Sequence, residues 1–326
     1  MVLIITSEDD LSSNDVIDWL IYYKVPFLRI SHNDKIYYKS LSINNLKFEV
    51  VLKINEITYN LTDFKAFWYR RSFINMLTKE YNIKNKLDSE IKKHLINEAQ
   101  EFNSVVKRYI ELHSINKHND IFLNKLEILR IASNTGFQIP NSIITDNKSD
   151  LLIFKKTFEK IITKNFSQGI FINNKDTILG NSTKIVDNSI INLIPDHFHY
   201  SFFQECIEKS FELRIFFLKS KFYTCAIFSQ NNEKTKIDFR NYDTDNLNRT
   251  PPFELPQIIK KKLIKLISII KINSGSIDMI VSKKNEYIFL EINPIGQFSQ
   301  LSIPCNYYIE RKIAFELIKK NNGTIK

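Results

Sequence analysis

The chain opens on Val2 to Thr6, an apolar run of strand length. Ser12, Ser13 and Asn14 follow as cap candidates for a helix through about Tyr23, and Pro26 to Ile30 reads as a second strand. Strand, helix and strand within about 30 residues predict a parallel α/β sheet. Phe64 to Tyr69 is a further aromatic strand that runs directly into Arg70-Arg71. Leu87, Ile91, Leu95, Ala99, Phe102, Val106, Tyr109 and Ile110 then recur at helical spacing, which predicts a long helix over Lys86 to His113 with one apolar face.

The polar stretch Ser114 to Asp120 predicts a domain boundary. Beyond it the pattern gives a helix over Asn124 to Thr135, ended by Gly136, and a strand around Ser142 to Thr145. Short alternating strands near Lys160 to Lys164, Gly169 to Ile172 and Ser182 to Ile185 suggest a small α+β lobe. From Tyr200 the texture changes to strong strands: Phe202 to Ile207, Leu213 to Lys219, Phe222 to Ser229, Gly275 to Val281 and Tyr287 to Ile292. An amphipathic helix from Pro256 to Ile272 interrupts them, and a helix over Tyr307 to Lys320 closes the chain. The expected division is therefore 1–115, an N-terminal α/β domain with a long helix; 116–199, a central lobe; and 200–326, a C-terminal lobe.

Composition narrows the class without naming it. With 326 residues, 43% hydrophobic and 25% charged, the chain suits two or three packed units of a soluble protein and excludes wholesale disorder. No apolar run reaches the ~18 residues a membrane span needs. The start MVLIITSEDD lacks the basic n-region of a secretory signal. Three cysteines, Cys206, Cys225 and Cys305, lack metal spacing and give no disulfide framework; a cytoplasmic location is expected. The net charge of +10 is spread along the chain as scattered lysines and forms no basic arm, so neither nucleic acid nor membrane is expected as a partner.

The most informative stretch is Gly275 to Gln297. Asp278 sits inside one apolar strand, while Glu291 and Asn293 end the next, two apart and so on one face. If the strands form a hairpin, Asp278 faces them. Three oxygen donors then suit Mg²⁺, with phosphate oxygens and water completing its shell. A second stretch, Gln204-Glu205-Cys206-Ile207 followed by Glu212 and Arg214, can offer backbone to an adenine edge, a carboxylate to ribose and a guanidinium to phosphate. Lys164, at the end of Ile161-Ile162-Thr163, is a candidate phosphate contact. His197 and His199 have no third metal-ligand partner and read as surface or lobe-linking residues. Arg70 and Arg71 have two readings: they bind carboxylates of an acidic peptide, or they staple the N-terminal domain to the rest.

In this order and spacing, Asn124-Lys125, the Gly136…Ile139-Pro140 turn, Lys164, Gln204 to Ile207, Glu212-x-Arg214, Asp278 and Glu291-x-Asn293 resemble the ATP-grasp superfamily. No GxxxxGK[ST] or GxGxxG pattern points to the commoner nucleotide folds. Where the family's phosphate-covering loop often carries several glycines, only Ser167-Gln168-Gly169 stands here. Trp68-Tyr69-Arg70-Arg71, Phe211-Glu212-Leu213-Arg214, Ser229-Gln230, Asp238-Phe239-Arg240-Asn241-Tyr242 and Leu290 to Gln297 further resemble the ligases that mature microviridin-type peptides, the graspetide synthetases, including grasp-with-spasm maturases.

The resemblance implies an α/β protein with a Rossmann-like N-terminal domain and two ATP-grasp lobes, working as a homodimer. ATP and Mg²⁺ are the implied cofactors. The implied substrate is a ribosomally made precursor whose leader docks on the central lobe. Asp or Glu side chains of its acidic core are joined to Ser/Thr hydroxyls or Lys amines. On that reading Lys125, Lys164, Gln204, Glu205, Cys206, Ile207 and Glu212 bind nucleotide, Asp278, Glu291 and Asn293 hold the metal, and Arg214 and Arg240 are catalytic. The rival reading is an ATP-grasp ligase that adds amino acids to a protein tail or a small acid, as glutathione synthetase and ribosomal-protein glutamate ligase do.

Overall fold

The computed structural model describes residues 1–45, 47–71, 86–117, 123–167, 172–174, 177–179, 183–241 and 243–322. Gln168, Gly169 and Tyr242, and parts of the strands expected around 169–172 and 182–185, lie outside the described residues. The N-terminal third contains β1 (Val2–Ile5), α1 (Leu11–Tyr22), β2 (Phe27–Ile30), β3 (Ile36–Asn44), β4 (Lys47–Ile54), β5 (Ile57–Asn60), β6 (Ala66–Tyr69) and α2 (Lys86–His113). β1 lies between β2 and β6 and is parallel to both, as the strand–helix–strand pattern predicts.

Every residue of β1 and β6 is buried, because both faces of this small sheet are covered. Val2, Ile4 and Trp68 pack with α1 on one face, while Leu3, Ile5 and Phe67 pack on the other with Val106 and Ile110 of α2. The helix α1 starts two residues earlier than Ser12, the first of the cap candidates, suggests. Asp10 stands at the N-cap, and its carboxylate accepts from Ser12 Oγ (2.6 Å), Ser13 Oγ (2.5 Å) and Thr6 Oγ1 (3.0 Å). The antiparallel meander β3-β4-β5 has no counterpart in the sequence pattern. Most of β3 is exposed or half-buried, so its residues lack the alternation that marks a strand with one buried face.

The central part comprises α3 (Lys125–Asn134), β7 (Ser142–Asn147), α4 (Lys148–Thr157), β8 (Ile161–Thr163), β9 (Ile172–Asn174), β10 (Thr177–Leu179), β11 (Lys184–Ile185), α5 (Asn188–Leu193) and β12 (His197–Glu205). Asn124 caps α3 by accepting from the Leu126 and Glu127 amides, and Gly136 at φ 88° ends it in the left-handed region that a Cβ disfavours. The sheet order is β11-β8-β12-β7, antiparallel throughout. Among the described residues its core is formed by Leu151, Ile161, Val186, Ile191 and Phe203. His197 and His199 lie exposed on β12.

The last third contains β13 (Lys209–Leu218), β14 (Lys221–Ile227), α6 (Gln257–Ile270), β15 (Ser274–Ser282), β16 (Tyr287–Asn293), α7 (Ser299–Ser302) and α8 (Ile309–Asn321). Pro256 sits at the N-cap of α6. The sheet order is β14-β13-β15-β16, and all nine residues of β15 are buried. On one face, Leu213, Ile215, Phe217, Met279 and Phe289 pack with α6 and with Ile128, Leu129 and Ala132 of α3. On the other, Phe216 and Leu218 share a core with α8, Val2, Ile4 and Trp68. The first and last thirds of the chain are thus joined by one apolar core. Among the described residues no helix is long and apolar enough to cross a membrane, and Cys206, Cys225 and Cys305 are all thiols.

Candidate active site

Residues directly opposite one another in an antiparallel pair project from the same face. Arg214 of β13 lies opposite Asp278 of β15, which lies opposite Glu291 of β16. Three charged side chains therefore form a row across three strands. One row on, Ser276 lies opposite Asn293; one row back, Glu212 lies opposite Ile280. The β15–β16 register shifts just past Asp278, leaving Leu290 as the extra residue of a bulge beside Glu291. Gly275 permits the close return of the chain after β16, since a Cβ there would meet Asn293 O at 2.7 Å and Pro294 Cα at 2.9 Å.

The row is charge-paired. Arg214 Nη1 donates to Asp278 Oδ1 (2.7 Å) and Oδ2 (2.9 Å), and its Nη2 donates to Gln297 O (3.3 Å). Arg240 Nη1 donates to Glu291 Oε1 (3.1 Å), and Lys125 Nζ lies 3.5 Å from Glu291 Oε2. Burial pushes both carboxyls up. At Glu291 the surrounding cations Lys125, Arg240 and Lys164 outweigh burial and hold the group below the usual range. At Asp278 burial wins over Arg214, helped by the neighbouring Glu291. The two carboxylates thus have opposed tendencies set by opposite balances of burial and charge.

A cleft of about 440 Å³ opens beside this row, between the central sheet and the C-terminal sheet. Lys164, Gln204, Glu205, Cys206, Ile207, Glu212 and Arg240 line it. Lys164 Nζ sits 5.9 Å from the centre of the Phe202 ring, and burial lowers its pKa. The strand β12 ends at Glu205, so Cys206 and Ile207 form a connection between the two sheets. The Glu205 and Cys206 amides donate to Asn141 O (2.8 Å) and Lys160 O (2.9 Å), which pins this connection to the central part. Gln204 turns its side chain into the central sheet, where Nε2 donates to Ser142 Oγ (3.0 Å). Glu212 accepts from Lys209 Nζ (2.6 Å) and Ser229 Oγ (2.5 Å), and burial raises its pKa despite the lysine. Asn293 Oδ1 accepts from the Ile295 amide (3.1 Å).

Arg240 is held by a residue to which the sequence reading gives no role. Asp238 Oδ1 accepts from Arg240 Nε (2.8 Å) and from its backbone amide (3.1 Å), and Oδ2 accepts from Arg240 Nη2 (2.7 Å). Thr183, from the central part, also donates to Asp238 Oδ2 (2.7 Å). Burial opposes ionisation of Asp238, yet these donors bring its pKa down to about 2. A carboxylate two residues before an arginine on a polar segment was the available signal. Lys209 reaches Glu212 from three residues away, whereas the contacts of Ser229 with Glu212 and of Thr183 with Asp238 join residues distant in sequence.

The donor set suits Mg²⁺: two carboxylates on neighbouring strands and a carboxamide one row away, all hard oxygens. Among the described residues no group of three His, Cys, Asp or Glu could hold a metal ion alone. Oxygens from a bound phosphate would have to complete the shell.

No family model and no curated protein matches the chain. Solved structures do. A RiPP-associated ATP-grasp ligase from Chryseobacterium gregarium, in complex with ADP and a leader and core peptide, is 27% identical, with a TM-score of 0.77 over 98% of this chain and 96% of that one. The macrocyclase MdnC from Microcystis aeruginosa, bound with its precursor peptide MdnA, is 26% identical, with a TM-score of 0.74 over 98% and 99%. The D-Ala:D-Ser ligase VanG from Enterococcus faecalis, 11% identical with a TM-score of 0.53 over 98% of both chains, shares the fold alone. The fold is that of the ATP-grasp ligases, and over 98% of its length the chain is similar to a RiPP-associated member and a macrocyclase whose structures hold leader and core or precursor peptides.

Proposed function

We propose that this protein is an ATP-dependent ligase that closes rings in an acidic, ribosomally made precursor peptide. The observation that carries the reading is the Arg214–Asp278–Glu291 row beside a cleft that also holds Lys164 and Arg240. Its combination of oxygen donors and surplus cations suits a nucleotide triphosphate and a developing anion together.

The chemistry follows from the groups. A carboxylate resists nucleophiles at neutral pH. An oxygen of the peptide carboxylate attacks the γ-phosphorus of ATP, the bond to the β-phosphate oxygen breaks, and ADP leaves. The resulting acyl phosphate is attacked at carbon by a hydroxyl or amine, which loses its proton, and phosphate departs with the bond electrons. The sum is an ester or amide, ADP and phosphate. Asp278, Glu291 and Asn293 would hold Mg²⁺, which supplies charge neutralisation at the phosphates. Lys164 and the connection from Glu205 to Ile207 hold the nucleotide, with Glu212 on the ribose. Arg214 leans on Asp278 and faces the migrating phosphoryl group. Arg240, fixed by Asp238, stabilises the oxyanion formed at the acyl carbon.

The +10 charge attracts an acidic peptide at range and is screened beyond roughly 8–10 Å in physiological salt. Leader docking on the central lobe supplies specificity by raising the local concentration of the core. A homodimer is supported by α2, where Leu87 and Ile91 stay exposed. The test is mass spectrometry of an acidic precursor incubated with the enzyme, ATP and Mg²⁺. Loss of one water per link from a single peptide is expected. Gain of an amino-acid mass would overturn ring closure in favour of amino-acid ligation.

A further inference from the structure

The two neighbouring arginines at the end of β6 are placed in opposite situations. Arg70 is 4% exposed and fully engaged: Nε donates to Asp10 Oδ2 (3.2 Å), Nη1 to Gly296 O (3.1 Å) and Nη2 to Ser12 Oγ (2.8 Å). It fastens the N-terminal sheet to the turn that follows β16. Arg71 has a side chain 38% exposed, and among the described residues its nearest carboxylate, Asp10 Oδ1, is 3.9 Å away. That carboxylate already serves Arg70 and three hydroxyls. Among the described residues, the side chain that reaches closest to Arg71 is the neutral amide of Gln297, and Asp9 adds a second carboxylate to its surroundings. The Gln297 amide lies between the two guanidinium groups: Arg70 Nη2 donates to Oε1 (3.3 Å), and with the amide turned over Oε1 instead accepts from Arg71 Nη1 (3.3 Å) and Nη2 (2.5 Å) while Nε2 donates to Ser12 Oγ (3.1 Å).

Gln297 is also the residue whose backbone oxygen accepts from Arg214. One residue therefore separates Arg71 from the guanidinium at the head of the reactive row. Arg71 stands just past the carboxyl end of a parallel strand, the side on which α/β sheets take ligands. A guanidinium fork resting on a neutral amide, beside a distant and shared carboxylate, gains by exchanging the amide for a carboxylate ligand.

We propose that Arg71 binds a second, non-reacting side-chain carboxylate of the acidic peptide, and so sets which carboxylate reaches the row. The proposal rests on the ring-closing reading above and deepens it. A peptide carrying several carboxylates must present one of them to the γ-phosphate, and a charge-assisted anchor a fixed distance away selects the register. Arg70, by contrast, is a structural fastening with no substrate contact.

The test is a binding cycle. A fluorescein-labelled acidic peptide rich in Thr, Lys, Glu and Asp is titrated by anisotropy against the wild-type protein, Arg71→Ala and Arg71→Lys, together with a series in which each acidic residue is singly replaced by its amide. Arg71→Ala is expected to weaken binding of the parent peptide about 10-fold, while its Tm stays within about 2 °C of wild type because the side chain is exposed. Arg71→Lys should recover part of the affinity. One amide-substituted peptide should bind wild type as poorly as the parent binds Arg71→Ala, and should lose nothing further on that variant. Equal affinity of wild type and Arg71→Ala for the parent peptide would overturn the proposal, as would an equal loss across every peptide of the series. The ring-closing reading is scored separately by water loss in the wild-type reaction, so a peptide that binds without being dehydrated would break that reading and leave the binding cycle to decide Arg71.

Discussion

The two sheets that face each other across the cleft are built differently. The C-terminal sheet is covered on both faces and buried along the whole of β15, yet it contains the charged row Arg214–Asp278–Glu291. Among the described residues the central sheet rests on five buried core side chains, with half-buried ones packed against them, and leaves Ile144, Ile185 and Tyr200 exposed. A charge buried in a well-packed sheet is held at fixed distance and resists rearrangement, which suits groups that must meet a transition state. A thinly packed sheet has a smaller cost of local opening, which suits a wall that admits a nucleotide and a peptide. The division of labour is thus written in packing as much as in residue identity.

Removing Glu291 should separate chemistry from packing most sharply. Glu291→Ala is expected to lower peptide-dependent ADP release by about a thousandfold, from loss of transition-state charge stabilisation, while the far-ultraviolet circular dichroism stays native. Undiminished turnover would remove the row from the mechanism.

The packing contrast itself is tested by paired core truncations. Met279→Ala in β15 should cost about 2–5 kcal/mol of global stability in denaturant unfolding. Leu151→Ala removes an equally buried side chain from the central part, but hydrogen exchange should show its effect confined to the central sheet. Loss of protection through both sheets in the Leu151 variant would mean that they open as one unit and would break the comparison.

A smaller effect is expected at Asp238, which links the two regions through Thr183 and Arg240. Asp238→Asn should lower kcat roughly 10-fold with little change in KM, as the guanidinium loses its charged support. The pH sign is fixed by its depressed pKa. The stability it contributes is fully present above its ordinary value of 3.8 and is lost as pH falls toward about 2. The wild type should therefore lose more stability than Asp238→Asn between pH 4 and pH 2. Parallel acid-unfolding curves for the two proteins would refute the assignment.

Much of this arrangement was legible along the chain. The alternation in Gly275 to Gln297 puts Glu291 and Asn293 on one face, and the hairpin register then sets Asp278 opposite Glu291. Gly136 ends α3 where the pattern stops. What the sequence conceals is long-range pairing. Nothing near Arg214 says that it will lie opposite Asp278, or that Asp238 will be shared between Thr183 and Arg240. The exposed meander β3-β4-β5 lacks an alternation to read. The packing of α3 on the C-terminal sheet, and the core shared by α1 and α8, depend on tertiary contacts that periodicity does not specify.

Activation of a peptide carboxylate as an acyl phosphate beside this row leaves a trace in the oxygen atoms. Heavy oxygen placed in the side-chain carboxylates of the precursor tests it directly. One labelled oxygen should appear in the inorganic phosphate for every water lost from the peptide, in equal amount to the ADP formed. Phosphate free of label, with water still lost from the peptide, would contradict it.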